Sequence, residues 1–191
     1  LELGFLEAMV WVGRIEPLYF IPLSELFLSQ SVAGFADNAF MGISSSVYLP
    51  QSMKFDLVGY VDDLAFATIV KGNWDTNWKI AAQACLSWAP QSPILRRLSL
   101  DYTAVTPYAY THWENAGSDA SGNAYNGALA YTNAGQNLGP ALDPNSDRVS
   151  LQARSIDIGG ARLSGVLRLI RHGNASAGVK QDGKEYVDET S

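Results

Sequence analysis

The sequence is short of cysteine, of charge and of long apolar runs, and each shortage removes a class of protein. The single cysteine, Cys85, excludes an internal disulfide and a thiolate metal cluster. No apolar run approaches the roughly 18 residues that a transmembrane helix needs. Lysine and arginine number 13 against 19 acidic residues, for a formal net charge of -6, which argues against a basic nucleic-acid interface.

Patterns that carry catalysis or hold metals are lacking as well. No Ser-His-Asp ordering or nucleophile elbow occurs. His112 and His172 stand apart, without a third metal ligand. Asp62 and Asp63 are adjacent, so on a strand they would point to opposite faces, which is wrong for an acid/base pair. We therefore expect no enzyme activity, no metal and no cofactor.

What the chain has in quantity is alternation between apolar and polar residues. Its 17 glycines and 11% aromatic residues suit strands and turns better than helices. The clearest strand is Trp78 to Trp88, whose apolar side begins and ends with tryptophan. A strand of about eleven residues, tilted by about 45°, rises roughly 25 Å, which matches the apolar band of an outer-membrane barrel.

The same alternation predicts further strands, and their connections differ in length. These strands are Leu1 to Val12, Asn38 to Leu49, Lys54 to Tyr60, Phe66 to Lys71, Leu95 to Thr106, Arg148 to Ile156 and Ala161 to Arg171. In the first strand, Glu7 would face the lumen of a barrel. Beyond Thr106, the strand from Leu95 would be extended by Tyr108, Tyr110, His112 and Trp113. Tight turns at Pro50-Gln51 and Asp157 to Gly160 contrast with long loops such as Arg14 to Asn38, in which Pro22 to Leu28 is a candidate short helix. Tight turns on one side and long polar loops on the other are typical of a transmembrane barrel.

These patterns predict an all-β protein, an antiparallel transmembrane β-barrel with a short helical loop segment. The chain would supply about eight or nine strands of a larger barrel. Residues 1–177 would form the barrel part, and residues 178–191 a polar tail or an unfinished loop. A soluble β-sandwich is the competing interpretation, although its strands are usually only about five or six residues long.

A turn-rich loop, Tyr131 to Asp147, leads into the strand Arg148 to Ile156. Its sequence is YTNAGQNLGPALDPNSD. Together with the runs LRRLSLDYTAVTPYAYTHW and VGYVDDLA, it resembles the outer-membrane capsule assembly proteins of the Wzi type, and more closely the related proteins of spirochaetes. The matching positions are Tyr131, Gly135, Gln136, Leu138, Gly139, Asp143, Pro144, Ser146 and Asp147. The likeness covers about residues 1–177.

The resemblance implies a large, monomeric antiparallel barrel in the outer membrane of a diderm bacterium, with this chain as its C-terminal half. The family role is non-catalytic attachment of capsular or other surface polysaccharide. The implied partners are therefore surface polysaccharide and outer-membrane lipid, with no nucleic acid. The chain departs from the pattern because the terminal aromatic strand that closes such barrels is lacking, so either residues follow Ser191 or the barrel is incomplete.

Residue types near the loop ends support sugar binding, because sugars are held by aromatic faces and planar polar side chains. The candidate polysaccharide-binding residues are Tyr110, His112, Trp113, Tyr131, Asn133, Gln136, Asn137 and Asp143. In the competing interpretation the aromatic residues form an interfacial belt and the others are ordinary turn residues.

A porin-like channel for small solutes is the second functional hypothesis, because polar strand sides would line a water-filled lumen. The candidate lumen-lining residues are Lys79, Gln83, Arg97, Asp101, Arg154, Arg162 and Arg168. Their mixed signs predict weak ion selectivity.

Overall fold

The computed structural model describes residues 1–11, 15–21, 38–63, 79–107, 109–110, 132–133, 136–137, 139–157, 159–173, 180–181 and 184–185. Its long strands are Glu2–Val10 (β1), Asn38–Leu49 (β2), Met53–Asp63 (β3), Lys79–Trp88 (β4), Leu95–Val105 (β5), Ser146–Ser155 (β8) and Ser164–His172 (β9). The short ones are Thr132–Asn133 (β6), Gln136–Asn137 (β7), Lys180–Gln181 (β10) and Lys184–Glu185 (β11). The predicted all-β class is confirmed.

The seven long strands form one antiparallel sheet in the order β1-β2-β3-β4-β5-β8-β9. Each strand pairs with the next long strand along the chain, while β6 pairs with β7 and β10 with β11. The described sheet is not closed, because β1 and β9 are its two edges. The predicted strand Phe66 to Lys71 and the predicted helix Pro22 to Leu28 lie outside the described residues.

A short 3-10 helix, Pro17–Phe20, lies in the connection between β1 and β2. Proline suits its first turn because the fixed φ fits a helix start, and a carboxylate oxygen of Glu16 accepts a hydrogen bond from the Leu18 amide. The ring of Trp11 packs against those of Tyr19 and Phe20. Within the described part of the chain, no helix is both long and apolar enough to cross a membrane.

The connections between long strands alternate in length, as predicted. Residues 50–52, 89–94 and 156–163 form short links at one end of the sheet, which we call the tight-turn end. At the other end, the loop end, successive long strands are separated in the sequence by more residues, 11–37, 64–78 and 106–145. Neighbouring short links are hydrogen-bonded: the Ala89 amide donates to the Ser52 carbonyl (3.0 Å) and the Ile156 amide to the Ile94 carbonyl (2.9 Å).

One face of the sheet, the apolar face, is built from register-matched apolar side chains. Most of them are exposed: Leu3, Phe5, Ile43, Leu49, Phe55, Leu57, Trp88, Leu100, Tyr102, Val149, Leu151, Leu167 and Leu169. Cross-strand partners such as Leu57 and Ala84, or Leu100 and Leu151, keep this face continuous from strand to strand. Even near the middle of the sheet, Leu100 is 49% exposed.

Burial follows the opposite pattern on the other face, the polar face. Its side chains include Ser87 and Ser99, both buried, and Thr103, which is 0% exposed. A soluble sheet with one face on a core buries its apolar side and exposes its polar side. In its interior this sheet does the reverse, while polar-face side chains at the tight-turn end and on the edge strand β9, such as Arg154 and Arg168, are exposed.

Two predicted positions along the strands need correction. Glu7 is the cross-strand partner of Met41 and shares the apolar face with Phe5, so it does not lie on the polar face that a lumen would require. It lies towards the loop end of that face, where a carboxylate can reach beyond the apolar side chains to polar surroundings. Strand β5 ends at Val105, and Tyr110, expected to extend it, lies in a turn with φ of 70°.

Candidate functional site

The candidate site is the polar face itself, because the strand register brings its charged and hydroxyl groups together. Its side chains include Glu2, Ser44, Ser46, Tyr48, Lys54, Asp56, Lys79, Gln83, Cys85, Ser87, Arg97, Ser99, Asp101, Thr103, Arg148, Ser150, Gln152, Arg154 and Arg168. One cross-strand row, for example, runs through Cys85, Asp101, Ser150 and Arg168.

Asp101 is the centre of the hydrogen-bond network on this face. Its carboxylate accepts hydrogen bonds from Gln83 Nε2 (2.6 Å) and Thr103 Oγ1 (3.2 Å). The guanidinium of Arg148 approaches it to 3.8 Å and also donates to Thr103 Oγ1 (3.3 Å) and to the Ala141 carbonyl (3.1 Å). Three strands are thereby joined through one carboxylate, which compensates its burial with several donors.

Two further polar contacts hold side chains on this face. Arg97 Nη2 donates to Ser87 Oγ (2.7 Å), which fixes the guanidinium against β4. Asp56 accepts a hydrogen bond from Ser46 and forms an ion pair with Lys54 (2.6 Å). The face is therefore internally hydrogen-bonded, and no apolar layer among the described residues covers its centre.

The charge balance of this face is positive on three adjacent strands. Strands β5, β8 and β9 carry Arg97, Arg148, Arg154 and Arg168, against the single carboxylate of Asp101. Lys54 and Asp56 cancel on β3. Charges of both signs, from which weak ion selectivity was predicted, are present on this face. Within these three described strands, however, positive charges outnumber negative ones. A path along this face would attract anions.

At the loop end the polar face gives way to a small apolar cluster. Phe40, Ala81 and Val105 come from the strands, while Ala109, Tyr110 and Leu142 come from the connection between β5 and β8. The rings of Phe40 and Tyr60 stack at 5.4 Å between centroids. Part of the long connection therefore folds against the polar face instead of extending away from the sheet.

Tyr110 is the most buried aromatic residue of this cluster, with 2% of its surface exposed. Its hydroxyl has no hydrogen-bond partner among the described residues, and burial raises the pKa of this phenol well above its usual value. A Cβ placed on Gly139 would overlap the Tyr110 hydroxyl and ring. Glycine at position 139 is what allows this close approach.

The polysaccharide-binding candidates are only partly described. Tyr110 is buried in the cluster, so its ring does not face solvent, and Asp143 is exposed in the turn before β8. Asn133, Gln136 and Asn137 lie on β6 and β7, where Asn133 and Gln136 are direct cross-strand partners. His112, Trp113 and Tyr131 lie outside the described residues.

The lumen-lining candidates are mostly found together. Gln83, Arg97, Asp101, Arg154 and Arg168 share the polar face, and Lys79 is on the same face at the loop end, where it is buried. Arg162 is the exception, because β9 begins only at Ser164. It lies in the short link before β9, largely exposed and 3.6 Å from Asp157, so it is not on a strand, and its lumen-lining role stays a prediction.

Sequence reasoning missed Arg148, Ser87 and Thr103 as members of the network. Arg148 could have been predicted, because the alternation places it on the polar side of the strand from Arg148 to Ile156. The partnership of Arg97 with Ser87 could not be found, because it depends on the register between β4 and β5.

The described residues include a serine-histidine pair, Ser146 and His172, which joins two strands. Ser146 Oγ lies 2.6 Å from His172 Nδ1 and 3.3 Å from the Pro144 carbonyl, and Ser146 is buried. These contacts fasten the start of β8 to the end of β9. Among the described residues, no group of three or more histidine, cysteine, aspartate or glutamate side chains is arranged to hold a metal ion.

Compared with known protein families, curated proteins and solved structures, the chain shows no significant match. The resemblance to the Wzi-type capsule assembly proteins receives no support from these comparisons and stays a prediction. The chain's class is therefore given by its own geometry: an all-β antiparallel sheet with an exposed apolar face and a hydrogen-bonded polar face.

Proposed function

We propose that this chain forms part of the wall of a transmembrane β-barrel, with its apolar face towards lipid and its polar face lining a water-filled path for small anionic solutes. The observation that carries the proposal is the inverted polarity of the sheet. Leu100 and Leu151 are 49% and 42% exposed on one face, while Thr103 on the other is 0% exposed. Strands of outer-membrane barrels alternate in this sense, apolar outwards and polar inwards.

Water is an unfavourable solvent for such an apolar face. Apolar surface costs free energy in water in proportion to its area, and soluble monomers seldom expose a contiguous apolar patch of more than a few hundred Å². A soluble sandwich would cover this face with a second sheet, and the described residues provide none. Lipid acyl chains cover it without a further protein layer.

The ends of the apolar face suit the boundaries of a bilayer. At the tight-turn end stands Trp88, 40% exposed, next to Leu98 on the neighbouring strand. At the loop end the face changes to the ion pair of Asp147 with Arg171, and Tyr102 donates to Asp147 across 3.5 Å. Aromatic and charged groups are the side chains expected where acyl chains meet head groups and water.

The positive bias of the polar face supports an anion path over a cation path. Four arginines face one carboxylate on β5, β8 and β9, and in a narrow polar path fixed charges of one sign concentrate ions of the other. The outer membrane of a diderm bacterium is the location this proposal implies, with outer-membrane lipid as the partner of the apolar face.

Conductance of the complete protein in planar lipid bilayers tests the path. We expect steady single-channel currents and, in a potassium chloride gradient, a zero-current potential of the sign that chloride permeation gives. Absence of conductance from protein that is demonstrably folded and inserted would contradict the path while leaving the barrel wall intact.

Anchoring of surface polysaccharide is the second candidate function, and two observations favour it. Residues from the connection between β5 and β8 pack onto the loop end of the polar face, which narrows any path there. The β6-β7 pair also brings the candidate residues Asn133, Gln136 and Asn137 together in one short hairpin. A closed lumen under a sugar-binding loop surface would serve an anchor.

Binding of the folded protein to purified surface polysaccharide from its own host tests the anchor. Trp113→Ala and Tyr131→Ala alter two of the candidate binding residues, and Tyr48→Ala, an exposed aromatic at the tight-turn end, is the matched control. The anchor predicts that the first two variants weaken binding and that the control does not. Equal binding by all three variants, or none by the unaltered protein, would dismiss this candidate.

A further inference from the structure

A cavity of about 490 Å³ lies at the tight-turn end of the polar face and is lined by four arginines. The lining comprises Arg96, Arg97, Arg154 and Arg162, together with Ser155, Leu163 and Ser164. Among the described residues, no carboxylate lines it. Its volume falls within the range of small-ligand sites, about 300–1,000 Å³.

Strand register forces two of these arginines together. Arg97 and Arg154 are direct cross-strand partners on β5 and β8. Like charges in this position destabilise a sheet, because their Cβ atoms are only about 5 Å apart. A bound anion between them would turn this repulsion into two attractions.

The other two arginines reach the cavity through irregularities at the sheet end. The register between β5 and β8 shifts at Arg96, between the pairs Leu95 with Ser155 and Arg97 with Arg154. Such a bulge re-aims a side chain at the rim of a sheet. Arg162 comes from the link between β8 and β9, and its neighbour Asp157, 3.6 Å away, is half exposed and so neutralises it only weakly.

At least one of the guanidinium groups is held in place before any ligand arrives. Arg97 Nη2 is fixed by Ser87 Oγ at 2.7 Å, and Ser87 itself is buried. A planar guanidinium presents donors in a fork that matches the oxygens of a phosphate group. One preorganised guanidinium among three further arginines makes a site for a compact anion with several acceptor oxygens.

We propose that this arginine cavity binds a phosphate group, as free phosphate or as a small phosphomonoester from solution. The volume leaves room for a sugar-sized substituent beside the phosphate. The site requires only the geometry of the tight-turn end, so it goes beyond the proposed path and does not depend on an open lumen.

Calorimetric titration of the complete protein in dodecyl maltoside tests the site with inorganic phosphate, glucose 6-phosphate and glucose as probes. We expect both phosphates to bind and glucose not to bind. Arg154→Gln and Arg162→Gln should each weaken phosphate binding by about fivefold or more, because each removes charge-assisted hydrogen bonds. The matched control Arg168→Gln removes the same charge from the polar face outside this cavity and should change the affinity by less than about twofold.

Several results would overturn the proposal. These are no phosphate binding by the folded protein, chloride competing as well as phosphate at equal concentration, or Arg168→Gln weakening binding as much as Arg154→Gln. Arg162 is largely exposed, so its variant keeps the test valid if Arg154→Gln does not fold.

Repeating the titration in phosphatidylglycerol nanodiscs separates the two sources of phosphate. Unchanged affinity supports a soluble ligand. Binding that is lost in nanodiscs and regained in dodecyl maltoside would mean that lipid phosphate occupies the cavity, which overturns the soluble-ligand assignment. Neither result depends on conductance, so the failure of this site and the failure of the proposed path can be distinguished.

Discussion

Leu100 and Leu151 are direct cross-strand partners on β5 and β8, two inner strands of the seven-stranded sheet, yet both side chains are more than two-fifths exposed, at 49% and 42%. Such a pair would be the natural centre of a core. The adjacent Ser99, on the opposite face, is 9% exposed. The proposed membrane environment rests on this difference, in which apolar side chains are exposed on one face and polar side chains are buried on the other.

A charge on the apolar face should therefore be costly in lipid. We expect Leu151→Arg to destabilise the protein folded in liposomes by about 2–4 kcal/mol, because arginine near the bilayer midplane costs this much on a barrel wall. Chemical denaturation of the inserted protein measures it. Gln83→Arg is the control, since it places the same residue on the polar face within reach of Asp101, and its effect should be much smaller. Equal losses in the two variants would contradict the assignment of the faces.

The polar face should set the ion preference of the proposed path. Asp101→Asn removes the one described carboxylate among the arginines of β5, β8 and β9, so anion preference should increase. Arg168→Gln removes a positive charge from the same cross-strand row, so anion preference should decrease. Zero-current potentials in a salt gradient measure both changes. Shifts of the same sign in both variants would refute a path along this face.

The close approach of Tyr110 and Gly139 predicts a size limit at position 139. Gly139→Ala should cost about 1–3 kcal/mol of folding free energy, because a methyl group there overlaps the tyrosine ring and hydroxyl. The control is Gly165→Ala, where an added Cβ meets nothing within 4 Å. Adding Tyr110→Phe to Gly139→Ala should recover part of the loss in denaturant unfolding. A similar loss in both glycine variants would show that the contact does not matter.

The buried phenol of Tyr110 also predicts sensitivity to alkaline pH. Burial raises its pKa in the folded state, so the folded protein holds the proton more tightly than the unfolded chain does. Its contribution to stability is complete below the unfolded pKa of about 10 and is lost as the pH rises above that value. Tyr110→Phe should unfold less readily than the unaltered protein between pH 10 and 11. Parallel pH profiles of the two proteins would exclude this role for Tyr110.

Much of the sheet could be predicted because alternation depends on neighbouring residues alone. The strand Asn38 to Leu49 was predicted with the bounds of β2, and the turn at Pro50-Gln51 follows it. The face of each side chain within a strand follows from the same period, which is why Gln83, Arg97, Asp101, Arg154 and Arg168 were grouped correctly.

The rest depends on how distant segments meet, which alternation does not encode. Glu7 was assigned to the wrong face because its strand carries apolar residues on both sides. The alternation of apolar and polar residues therefore does not show which side of this strand belongs to the apolar face. Tyr110 was expected to extend β5, but its burial depends on Phe40, Leu142 and Gly139, which come from other parts of the chain. The arginine cavity required both the bulge at Arg96 and the start of β9 at Ser164.

Ala84 and Cys85 offer the most direct test of the central claim, because they are neighbours on β4 and lie on opposite faces. Cys85 is the only cysteine, so the unaltered protein can be labelled there and Ala84→Cys can be labelled in a Cys85→Ser background. In liposomes we expect a hydrophilic thiol reagent to modify Cys85 and to spare the thiol introduced at position 84. Brominated acyl chains should instead quench only a fluorophore attached at position 84. Reagent access to both positions, or quenching at position 85 alone, would contradict a barrel wall with its apolar face in lipid.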